Sequence, residues 1–124
     1  MKVIGRAIVG VAILCGSSAS MAMPATTFLA KADALMAKGP LALFSSDVGL
    51  LKQEATQAGT QLKAERLASL AQHRPTAYCP PAKSGIQSDE LIASLHRIPA
   101  PELARMQFKD AFRHILAQKY PCPR

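Results

Sequence analysis

Apolar residues recur at helical spacing along most of this chain, and prolines interrupt the pattern wherever it stops. Phe28, Ala32, Leu35 and Met36 fall at i, i+4, i+7 and i+8, one stripe of a helix predicted from Thr27 to Lys38. Gly39-Pro40 ends it, with glycine where a helix exits and a proline beyond. After a short turn, Leu41 to Phe44, the run Ser45-Ser46-Asp47 offers three caps for the next helix. There Phe44, Val48, Leu51, Ala55, Ala58 and Leu62 repeat at three-four spacing and predict a long helix. Beyond Leu62 the register slips, so that Leu67, Leu70 and Ala71 leave the stripe. Gly59 costs about 1 kcal/mol relative to alanine inside a helix, and the element is expected to run through it.

Nine prolines, at 24, 40, 75, 80, 81, 99, 101, 121 and 123, leave 41–74, 82–98 and 102–120 free of them. Proline lacks the amide donor and clashes inside a helix, so those gaps are where helices run. Residues 75–87 read as a proline-rich internal linker. Ser88 is expected to cap a helix from Asp89 to about Arg97, with Asp89 and Glu90 in its first turn and Leu91, Ile92, Leu95 and Ile98 inward. Pro99-Ala100-Pro101 turns the chain into a last helix from about Glu102 or Met106 to Lys119, which buries Phe108, Ala111, Phe112, Ile115 and Leu116. No period-two runs of β-branched residues and no repeat of solenoid length occur. The expected fold is all-α, a small bundle of about four helices forming a single domain over 23–124.

The first 22 residues follow a different pattern. Lys2 and Arg6 precede the apolar stretch Ala7 to Cys15, and Ser20-Met21-Ala22 supplies small residues at the positions a signal peptidase reads. Residues 1–22 are therefore expected to be a signal peptide cleaved after Ala22, with Ser17-Ser18-Ala19 as the second choice. The stretch falls short of the roughly 20 residues needed to span a bilayer, so no membrane span is expected. Leu14 stands before Cys15 where a lipidated bacterial cysteine follows a small residue, which argues against lipidation. Past the leader only Cys79 and Cys122 remain, and in an exported domain two cysteines read as one disulfide rather than a metal pair. A periplasmic or secreted location follows.

Charge adds a preference for anionic partners. Without Lys2 and Arg6 the chain has 13 bases against 8 acids, a net of +5, and residues 63–124 carry ten of those bases and five of the acids. Arg105, Lys109 and Arg113 recur every four residues, a candidate binding ridge for an acidic protein surface or for anionic polymer or lipid of the cell envelope. Covering the edge of the core is the alternative use of such side chains. Nucleic acid is disfavoured, because the ridge lacks interleaved exposed aromatics and the chain is read as exported. Catalytic and metal motifs are missing from the sequence: His73, His96 and His114 are scattered, no His-Glu-x-x-His pair or glycine-rich phosphate loop occurs, and no serine sits in a nucleophile elbow. Asp110 and His114 lie one turn apart, as the orienting half of a catalytic pair would, with no nucleophile marked. No cofactor and no enzymatic activity are expected.

The segments Tyr78-Cys79-Pro80-Pro81, Ser88, Glu90-Leu91-Ile92, Ile98-Pro99, Asp110-Ala111-Phe112 and Lys119-Tyr120-Pro121-Cys122 resemble the resistance-associated (Rap) group of periplasmic immunity proteins. The resemblance covers roughly residues 78–122; the extra cysteine pair and the Tyr-x-x-Gly helix usual in that group are missing from the first half. It implies an all-α protein that binds and neutralises a toxin delivered by a type VI secretion system, often a cell-wall amidase. The expected function is thus non-catalytic binding, immunity-like or inhibitor-like, with an envelope component binding anionic polymer or lipid as the alternative.

Overall fold

The computed structural model describes residues 22–123; the leader assigned to 1–22, with Cys15 and the second cleavage site, lies outside them except for Ala22. The described residues are all-helical: α1 (Ala25–Lys38), α2 (Ser46–Ala71), α3 (Ser88–Arg97), α4 (Ala100–Leu103) and α5 (Phe108–Lys119), with a 3-10 turn over Gly39–Phe44. Among these residues there is no β-strand, only an isolated antiparallel bridge between Pro24 and Gln107.

Local sequence accounts for most of the boundaries. Gly39 leaves α1 at φ +58°, a backbone conformation that residues with side chains rarely adopt. Ser45 caps α2, its Oγ accepting from the Asp47 amide at 3.3 Å. α2 then runs 26 residues without a break, about 39 Å of helix, straight through Gly59. Two boundaries differ from the sequence reading. Gln87, extended and making no side-chain cap bond, holds the N-cap position of α3, and Ser88 is already its first helical residue. The expected last helix is cut in two, which raises the count from about four helices to five. α4 makes one turn, Ala104 and Arg105 turn the chain, and α5 begins only at Phe108.

The cause of that cut lies in the entering chain. Met23 carbonyl accepts from the Phe108 amide at 2.7 Å, and the Ala25 amide donates to the Met106 carbonyl at 3.0 Å. Backbone groups that would continue a helix through 106–108 are thereby engaged by residues 23–25, and Asp110 Oδ2 accepts from the Gln107 amide at 3.3 Å as the new helix opens. One further contact fixes the start: the Met23 amide donates to Glu54 Oε1 at 3.4 Å, on the first third of α2.

Helices α1, α2 and α5 meet around Phe108, which is fully buried, with its ring 3.9 Å from that of Phe28 and 5.6 Å from that of Phe112, centroid to centroid. Leu62 from α2 and Leu95 from α3 complete the centre of one continuous core. α3 is held at its edges by a His96–Asp33 hydrogen bond to α1 at 2.8 Å and a Lys119–Glu90 ion pair to α5 at 2.7 Å. Leu67 and Leu70, which leave the apolar stripe in the sequence, are exposed.

Candidate functional site

Cys79 and Cys122 form the expected disulfide, with an S–S distance of 2.01 Å across 43 residues of chain. It does more than join two ends. The Cys79 amide donates to the Tyr120 carbonyl at 2.8 Å, and the Tyr120 hydroxyl donates to the Gly85 carbonyl at 2.9 Å while accepting from the Gly85 amide at 3.3 Å. Bound at Cys79 and again at Gly85, the proline-rich segment is strapped to the end of α5 as a fixed wall. Its prolines have no amide to satisfy and a restricted φ, so the strap holds its shape without regular structure. Tyr78 is buried beneath it.

Between this wall, α2 and α5 lies a cleft of about 480 Å³. Its helical side presents Lys63 and Arg66, one turn apart on α2, and its floor is formed by Phe112 and Leu116; Tyr120 and the prolines at 80 and 81 close the far side. Among the described residues no acidic one lines it. Neither Lys63 nor Arg66 forms an ion pair among the described residues. The Arg66 guanidinium carbon sits 5.9 Å above the centre of the Tyr78 ring, and Arg66 Nε is buried with no hydrogen-bond partner in the protein. Two cations beside aromatic and proline surfaces make a receptor for an anionic group attached to apolar matter, since carboxylate fits the guanidinium fork and aromatic or proline side chains supply area.

The sequence-marked ridge has a different position. Arg105 lies in the turn before α5, exposed and outside any ion pair among the described residues. Lys109 and Arg113 both face Glu65 of α2, at 2.8 and 2.9 Å, and Arg113 also reaches Asp110 at 3.0 Å. These two cations hold the Glu65 carboxyl below its ordinary range, Lys109 first and Arg113 second. In return Glu65 raises the Arg113 guanidinium. The pair is an α2–α5 clamp rather than an open row of three charges. Asp110 is taken up by Arg113 and the Gln107 amide, and His114 by Gln118 at 3.2 Å, so the two do not form the orienting half of a catalytic pair. Among the described residues no group of three or more histidine, cysteine or acidic side chains is placed to hold a metal.

Lys63, Arg66, Tyr78 and Tyr120 were not singled out as a site by the sequence pattern. The traces they leave there are small: two cations at i, i+3 where the apolar register of α2 slips, and a tyrosine one residue before Cys79 and another two before Cys122. Comparison with protein-family models, curated proteins and solved structures finds no match to this chain.

Proposed function

We propose that this chain is an exported, non-catalytic binding protein, immunity-like or inhibitor-like, whose cationic cleft receives an acidic segment of a protein toxin. The observation that carries this reading is the cleft itself: among the described residues Lys63 and Arg66 stand without an ion-pair partner over an aromatic and proline surface, and no acidic side chain lines it. The leader-like first 22 residues and the disulfide support export, and the resemblance of residues 78–122 to Rap-group immunity proteins supports a toxin as the partner.

The test is protection. A strain lacking the gene is challenged by a sibling competitor with an active type VI secretion system, and survival is restored by wild-type protein but not by Lys63→Glu/Arg66→Glu exported at the same level with its disulfide formed. Survival of the deletion strain without help, or full rescue by the charge-reversed protein, overturns the proposal.

A further inference from the structure

The opposite end of α1 carries a feature the cleft does not use. The chain bends by 110° between 25–44 and 46–71, and the 3-10 turn forms the corner. Leu41, Leu43 and Phe44 on that turn are 70%, 80% and 89% exposed, and Met36 and Leu50 beside it are exposed as well. Five large apolar side chains at one corner form a surface of the kind soluble proteins reserve for interaction.

Two properties select the partner. A 3-10 turn advances about 120° per residue, so Leu41 and Phe44 share a side while Leu43 points to another. The apolar groups thus surround the turn instead of forming one flat face, which suits insertion into an isotropic apolar medium better than docking on a shaped protein surface. The charge around the corner is basic. Lys38 adjoins the turn and Lys52 lies at the edge of the apolar groove behind Met36 and Val48, and neither pairs with an acid among the described residues. The nearby acids are already engaged, Asp47 by Lys31 at 3.3 Å and Asp33 by His96 at 2.8 Å. Gly39 and Pro40 fix the entry into the turn, which restricts its backbone before binding and lowers the ordering cost.

We propose that the 3-10 turn is a lipid-docking corner: Leu41, Leu43 and Phe44 enter the interfacial region of an anionic phospholipid leaflet while Lys38 and Lys52 meet its headgroups. Interfacial binding of this type adds buried apolar area to attraction between bases and anionic lipid, and neither contribution alone holds a protein firmly. The attachment proposed is peripheral, and no single described helix is long and apolar enough to cross a membrane.

Sedimentation with phosphatidylglycerol vesicles and with phosphatidylcholine vesicles tests it. Wild-type protein is expected to bind the anionic vesicles and to bind the neutral ones much more weakly. Leu43→Asp/Phe44→Asp should lower binding to phosphatidylglycerol by about tenfold or more, because two apolar insertions are replaced by charges. Lys38→Glu/Lys52→Glu should remove the preference for the anionic vesicles. All four positions are exposed, so the variants should melt as wild type does, and melting curves verify that they fold. The chain contains no tryptophan, so Phe44→Trp places a single reporter whose emission should shift to the blue on vesicles and not in buffer. No vesicle binding by wild type, binding unaffected by Leu43→Asp/Phe44→Asp, or an unshifted emission from the Phe44→Trp variant overturns the proposal. Concentration-dependent self-association lost in Leu43→Asp/Phe44→Asp, without vesicle binding, assigns the corner to a second copy instead. The toxin-protection assay with Lys63 and Arg66 reads a different surface, so either proposal stands or falls without the other.

Discussion

Glu65 connects two helices through one carboxylate, and its titration sets a pH dependence. Lys109 and Arg113 hold its carboxyl below the ordinary glutamate value of 4.5. A depressed carboxyl stabilises the folded state above the unfolded value and loses that contribution as pH falls through the folded one. The stabilisation is therefore complete above about pH 4.5 and fades in more acidic solution. With the Glu65 side chain 45% exposed, water screens much of it, and Glu65→Gln should cost no more than about 1 kcal/mol at neutral pH. Urea unfolding checks this, and the gap between variant and wild type should narrow on acidification below that value. Phe108 behaves differently because it is an apolar residue closed in on every side. Its ring lies against those of Phe28 and Phe112 with no exposure to solvent, so Phe108→Ala should cost about 3–5 kcal/mol independently of pH, as read from the denaturant midpoint.

α2 shows how element and residue interact at Gly59. Glycine in a helix interior costs about 1 kcal/mol relative to alanine, and a Cβ at this position would meet the Phe112 ring at 3.6 Å, an ordinary contact. Gly59→Ala should raise stability by about 0.5–1 kcal/mol, with thermal unfolding as the measurement; a loss would mean that the α2–α5 packing cannot accept one methyl group. Much of this helical plan was legible in the sequence, because periodic apolar residues and prolines are local signals. The long run through Gly59 follows the three-four spacing, Ser45 proves to be the cap among the three that Ser45-Ser46-Asp47 offered, and Leu67 and Leu70, which leave the stripe, are exposed. The division of α4 from α5 was not legible, since it depends on Met23 and Ala25 reaching residues more than 80 positions later, a tertiary bond with no local trace. The pairing of the ridge was not legible for the same reason. Periodicity places Arg105, Lys109 and Arg113 in line, yet it contains nothing about Glu65, which arrives from another helix and occupies two of the three. The cleft stayed hidden because its wall is an irregular strap whose position is set by a disulfide and a tyrosine hydroxyl.

For the whole molecule that disulfide is the largest single constraint. Closing a loop of 43 residues is worth about 4 kcal/mol in the chain-entropy model, a large part of the stability of a domain this size. Cys79→Ser/Cys122→Ser, or reduction of the wild type, should lower the denaturation midpoint accordingly and should also loosen the strap, exposing Tyr78 and raising hydrogen exchange at the Gly85 amide. An unchanged midpoint would mean that the tail is held by the core alone. The contact between the Met23 amide and Glu54 has a consequence of its own. Scission at the expected site after Ala22 would turn that donor from a neutral peptide nitrogen into a primary ammonium facing the same carboxylate, so the cut itself would create an ion pair on the first third of α2. Glu54→Gln should lower the melting temperature of a chain that begins at Met23 and leave that of the full chain nearly unchanged.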